Sequence, residues 1–226
     1  MRGGNWFAGL TDTSTFILLL AAGWHCCQSQ TPSSLPASPN RTFGYFNATS
    51  QVTLPSSTWN LQNTKEVTFR TCMPDGTFLL QTAASVSTGG AHHFKLYLSN
   101  GTVVFQWSLG TGSSIYNIST GSNLANNQQY TVRLTFFLGV INLYVLQQSV
   151  IKYSATVANS TFNSNLLSAV ISSTDLLVGQ NFTGCLFYGP GVNFALALVA
   201  ANVAWNTCPL QTRSGCSEGK DPLPPQ

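Results

Sequence analysis

The stretch HHFKLYLSNGTVVFQW, residues 92–107, leaves the chain little freedom. Phe94, Leu96 and Leu98 precede the pair Asn100-Gly101, and Val103, Phe105 and Trp107 follow it, each separated from the next by one residue. A period of two sends successive side chains to opposite faces of a strand, so both arms carry one apolar face. Asparagine followed by glycine tolerates the positive φ that a type I′ turn needs at both central positions. The two arms therefore fold back on each other, and their shared apolar face requires a second apolar layer.

The same period recurs. In KEVTFRT (65–71) Val67, Phe69 and Thr71 alternate with Thr68 and Arg70; in QYTVRLTF (129–136) Tyr130, Val132, Leu134 and Phe136 alternate with Thr131, Arg133 and Thr135. TFLLQTA (77–83), INLYVLQ (141–147), DLLVG (175–179) and FTGCLFYG (182–189) are further strand candidates between Gly, Asn and Ser turns. There is no convincing long amphipathic helix and no repeat at solenoid or propeller periods. Many short antiparallel strands predict an all-β sandwich. With 226 residues, 43% of them hydrophobic, a single core is the expectation.

Charged residues make up 7% of the chain, and Lys65, Arg70, Lys95, Arg133 and Lys152 stand apart from one another. A phosphate-binding surface needs clustered cations, so nucleic acid is excluded as a partner. Near the N-terminus the apolar run FILLLAAG (16–23) has the length of a secretory h-region, and residues 1–25 read as a signal peptide; an ordinary buried segment is the alternative. A Pro- and Ser-rich linker follows over 26–42. The apolar segment 191–205 has 15 residues, includes Asn193 and Asn202, and falls short of the roughly 20 that a helical span requires, so no membrane span is expected in the mature chain. A secreted, extracellular protein is the expectation.

Six glycosylation acceptors begin at Asn40, Asn47, Asn100, Asn117, Asn159 and Asn181. In a chain so rich in Asn, Ser and Thr chance alone gives about four, so the count itself is weak evidence. Asn100 stands at the hairpin tip, where a sugar displaces nothing from the core. An enzyme is not expected. Glycoside hydrolysis needs two carboxylates flanking the scissile bond, and the acids of the central region, Glu66, Asp75 and Asp175, do not recur at strand spacing. No Gly-x-Ser-x-Gly occurs, and no close Cys or His pairs have zinc spacing.

The ordered series VTFRT (67–71), GTFLL (76–80), FKLYLSNGTVVF (94–105), NQQYTVRLTF (127–136), INLYVLQQ (141–148) and FTGCL (182–186) resembles a laminin G-like domain over residues 43–209, with a tail at 210–226. The resemblance implies a jelly-roll sandwich of two antiparallel sheets, in the broader concanavalin-like class. It also implies a disulfide between Cys185 and Cys208, whose loop closure contributes about 3 kcal/mol. Cys72 and Cys216 either bridge or find other partners; Cys26 and Cys27 stay open.

Many members of that family bind calcium through rim aspartates. The matching position here is His92, followed by His93, and imidazole is a poor ligand for a cation that takes oxygen donors. Calcium is therefore not expected, and no other cofactor or metal is. The family's Trp-His pair is replaced by Gln129-Tyr130. By correspondence with the family's rim, His92, His93, Asn126 and Asn127 are the candidate ligand contacts. The implied function is non-catalytic recognition of an extracellular protein or glycan in cell adhesion, matrix contact or polarity. The tail resembles the approach to an EGF-like repeat, as in crumbs-type arrays. The alternative is a glycosylated spacer domain with no specific ligand.

Overall fold

A computed structural model describes residues 41–56, 64–84, 91–109, 115–158, 174–190, 192–211 and 216. The signal-peptide and linker assignments up to residue 40, Asn40, Asn159 and the pair Cys26-Cys27 lie outside the described residues.

The hairpin forms where the sequence places it. Strand β5 (Ala91–Ser99) pairs antiparallel with β6 (Thr102–Leu109). Between them Asn100 and Gly101 have φ of 48° and 73°, the signature of a type I′ turn. Phe94, Leu96, Leu98, Val103, Phe105 and Trp107 are all at most 1% exposed, so the alternation read from the sequence is the inner face of a sheet.

That sheet has seven strands in the order β13-β2-β11-β4-β5-β6-β7. The other members are β2 (Gln51–Leu54), β4 (Gly76–Ala84), β7 (Ile115–Thr120), β11 (Leu176–Val178) and β13 (Val199–Ala201). Facing it is a second seven-stranded sheet in the order β10-β9-β8-β3-β12-β1-β14. It is built from β1 (Phe43–Phe46), β3 (Lys65–Arg70), β8 (Gln129–Phe137), β9 (Val140–Gln147), β10 (Val150–Ala158), β12 (Gly184–Phe187) and β14 (Ala204–Trp205). All pairings are antiparallel. The fold is the expected antiparallel jelly-roll sandwich.

Its core is aromatic. Phe46, Phe69, Phe78, Phe94, Phe105, Trp107, Phe182 and Phe194 are fully buried, and the Phe69 and Phe78 rings, from opposite sheets, meet at 4.6 Å. Burial of that much apolar area between two layers is what holds short strands together.

The Phe-x-Gly-Cys series has a steric basis. Gly184 has φ of 148°, a region open essentially to glycine. A Cβ there would collide with the Arg70 carbonyl and come within 2.9 Å of both the Phe182 ring and Thr71. The glycine lets β12 pass hard against the end of β3, and Cys185 follows at once.

Candidate functional site

The turns gather at two opposite rims. One contains the Asn100-Gly101 tip together with the loops at 71–75, 121–128, 148–149 and 179–183. It is stitched by backbone bonds from Gly101 N to Pro74 O (2.8 Å), Leu124 N to Gly101 O (3.0 Å) and Asn127 N to Thr71 O (2.9 Å). Asp75 Oδ1 accepts from the Asn100 amide at 2.9 Å, so this acid holds the hairpin tip.

Asparagine shapes this rim. Of nine described non-glycine residues with positive φ, six are Asn, and Asn100, Asn123, Asn127 and Asn181 stand here. Asparagine enters the left-handed region more cheaply than other side chains, because its short amide bonds to nearby backbone. Asn100 and Asn181 therefore have a backbone reason to be asparagine that is independent of any sugar. Asn47, Asn100, Asn117 and Asn181 are all exposed. The first, second and last stand on this rim, while Asn117 projects from β7 at the sheet edge.

The four nominated ligand contacts do not form one site. Asn126 and Asn127 lie on the hairpin rim: Asn126 Nδ2 donates to the Tyr130 hydroxyl at 3.0 Å, and Asn127 is 4% exposed, with its Oδ1 buried and unpartnered. His92 and His93 open β5 at the other end, where their backbones pair with Ala83 and Thr82 of β4. Asn100 lies seven positions beyond His93, roughly 23 Å of extended strand. The predicted set is thus divided between opposite ends of the sandwich.

The far rim is apolar at its tip. Phe137 and Leu138 are 71% and 87% exposed, and Leu138 has φ of 44° beside Gly139 at 79°. A leucine in the left-handed region is a backbone outlier, held there by the two-residue turn between β8 and β9.

Among the described residues no three His, Cys, Asp or Glu side chains gather where a cation would sit, and the histidine pair offers nitrogen rather than oxygen. Two of the three acids named above serve structural roles: Glu66 Oε1 accepts from Arg133 Nε at 2.6 Å, and Asp75 holds the hairpin. No described helix is long and apolar enough to cross a membrane.

Two cystines close the chain onto the sandwich. Cys185 is bonded to Cys208 and Cys72 to Cys216, both with Cα–Cα separations of 5.8 Å. Arg70 braces the first, its guanidinium donating to the Cys208 carbonyl at 2.8 Å; burial holds that guanidinium below its ordinary pKa. Between the bridged tail and the outer face of the β1-β12 sheet lies a cleft of about 360 Å³, lined by Tyr45, Cys72, Met73, Thr183, Pro209, Leu210 and Gln211. Sequence reading missed it. The signal was the placement of Cys208 and Cys216 on either side of Pro209–Gln211, which became readable once Cys72 was paired.

Comparison with known proteins agrees with this geometry. The laminin G domain family model matches residues 69–187, from the third strand to the end of β12. The LG1-3 region of the laminin alpha2 chain superimposes with a TM-score of 0.60 at 15% identity, covering 76% of this chain and 36% of that one. Domains LG4-5 of the mouse laminin alpha1 chain give 0.50 at 16% identity, covering 80% and 49%. The chain thus spans between about a third and a half of those structures. No curated protein sequence matches it. The strand order, the glycine-cysteine step into β12 and the family match over more than half of the chain converge, and the chain belongs to the laminin G domain family.

Proposed function

We propose that this chain is a secreted, non-catalytic recognition module that binds an extracellular protein or glycan in cell adhesion, matrix contact or polarity. The observation that carries this reading is the pair of cystines in a laminin G sandwich, because such bridges persist in oxidising compartments. Engagement of Glu66 and Asp75 in structural bonds supports a non-catalytic role.

Sugars at Asn47, Asn100 and Asn181 would crowd the hairpin rim, with Asn126 and Asn127 beneath them. The described part of the far rim carries His93 and the exposed Phe137-Leu138 tip, and that tip is the contact surface of this reading. Exposed aromatic and aliphatic side chains at a rigid turn serve as anchors for a partner's pocket.

The test is recovery of the full chain from the medium of secreting cells, peptide mapping without reduction, and retention on arrays of matrix proteins and glycans. A joined Cys185–Cys208 peptide, sugar on the acceptors and retention that Leu138→Asn weakens about tenfold are the expected results. Full glycosylation without retention would favour a spacer domain. An intracellular chain with free thiols would remove the extracellular reading altogether.

A further inference from the structure

The outer face of strands β3, β8, β9 and β10 carries two polar rows. Pairing register sets Glu66, Arg133, Tyr144 and Ser154 side by side across the strands. Two residues along, Thr135, Asn142 and Thr156 form a second row, roughly 7 Å from the first. Alternation turns them all away from the core, since Val132, Leu134, Ile141, Leu143 and Val145, which alternate with them, are buried. The second row leads directly to the Phe137-Leu138 turn between β8 and β9.

Internal bonds pin the rows. Glu66 Oε1 accepts from Arg133 Nε at 2.6 Å, Asn142 Nδ2 donates to the Thr135 hydroxyl at 3.1 Å, and the Thr156 hydroxyl donates to Asn142 Oδ1 at 2.8 Å. Side chains held in this way lose little freedom when a ligand arrives. They also have capacity to spare: the terminal nitrogens of Arg133 and Glu66 Oε2 have no partner among the described residues. The Arg133 and Glu66 side chains are 38% and 23% exposed, and Ser154 and Thr156 are exposed, so solvent reaches these groups.

In these rows only Glu66 and Arg133 carry charge, and they cancel. Arg70 and Lys152 lie outside both rows, and Arg70 is taken by the Cys208 carbonyl. An anionic ligand therefore finds no uncompensated cation. A protein partner needs an apolar centre, and the rows hold no aliphatic side chain. They match a neutral saccharide, whose hydroxyls both donate and accept and whose pyranose C–H face stacks on an aromatic ring such as Tyr144. None of the described glycan acceptors lies on these strands, so the chain's own sugars start elsewhere.

We infer that this face binds a neutral oligosaccharide without a metal ion, with one pyranose ring on Tyr144, its hydroxyls bridged by Arg133 and Glu66, and the next ring over Asn142. The inference rests on the recognition reading above: it names the ligand class and extends the contact surface from the tip down the face of the β8-β9 hairpin.

The experiment applies the full secreted chain, in EDTA, to arrays of neutral oligosaccharides of the N-acetyllactosamine, mannose and glucose series beside sialylated glycans, sulfated glycans and matrix proteins. The expected result is retention on a neutral series, competed by the same free oligosaccharide and weakened about tenfold by Arg133→Gln and by Tyr144→Leu. In the parent, amide shifts at Arg133, Asn142 and Tyr144 should move on titration with that oligosaccharide, a readout that needs no variant to fold. Retention confined to anionic glycans or proteins, or neutral retention that Leu138→Asn weakens while the face variants and face amides do not respond, would overturn the inference and leave the recognition reading standing. No retention on any surface would overturn both.

Discussion

At the scale of single residues, the backbone decides more than the side chains do. Gly184 occupies a conformation that no L-residue enters cheaply, and the Arg70 carbonyl and Phe182 ring fill the space where a Cβ would stand. Gly184→Ala is expected to cost about 3 kcal/mol, read as a lowered denaturant midpoint with an unchanged slope. Lys65 offers a different test. It is 7% exposed at the start of β3, and burial lowers its amine pKa from the usual 10.5. Between that lowered value and 10.5 the unfolded chain binds more protons than the folded one, so stability rises with pH across the window. Below the window the penalty of burying the charge is fully present. Lys65→Met should be more stable than the parent at neutral pH, and the gap should close as pH rises towards 10.5; denaturant midpoints across that range check it.

Among the elements, legibility follows the apolar period. The β5-β6 hairpin, β3, β4, β8, β9, β11 and β12 were readable because each buries alternate side chains or a short apolar run against the facing sheet. Strand β10 was not: from Val150 to Ala158 no residue is fully buried, and only Ala155 and Val157 turn partly buried side chains to the core, too short an alternation in VIKYSATVA to stand out. Backbone pairing to β9 defines it, with the Thr156 hydroxyl donating to Asn142 Oδ1 at 2.8 Å. Strands β1, β2, β13 and β14 are two to four residues long, too short for a period to register. The candidate site was half legible for a related reason. Alternation reveals which way a side chain points but not which end of a strand lies at which rim, and His93 and Asn127 were separated by that missing direction.

Strand β10 also carries a liability. It is an edge with Val150 and Ile151 more than half exposed, and its pairing shifts register between Ile151 and Tyr153, around Lys152. Lys152 is the only charge between residues 134 and 174. A bulge and a lysine are two devices that keep an edge from templating another chain. Lys152→Thr is expected to leave the fold intact and to raise self-association, seen as a concentration-dependent increase in light scattering.

For the whole molecule, the two cystines differ in what they constrain. The Cys185–Cys208 bridge spans a separation of 23 residues and the Cys72–Cys216 bridge one of 144. Chain-entropy reasoning puts their contributions at about 3 and about 5 kcal/mol. Replacing the second pair with alanine should lower the thermal midpoint more than replacing the first, by calorimetry on otherwise identical protein. The bridges also set the response of the domain to tension. A pull between residue 41 and residue 216 enters at β1, which lies beside β14, and at Cys72, just past the end of β3. Through Cys72 that force passes directly to β3, and the segment from 186 to 207 is short-circuited by covalent bonds at Cys185 and Cys208. The short strands β13 and β14 would carry no chain tension while both bridges last, and chemical reduction would turn a stiff bead into an extensible one.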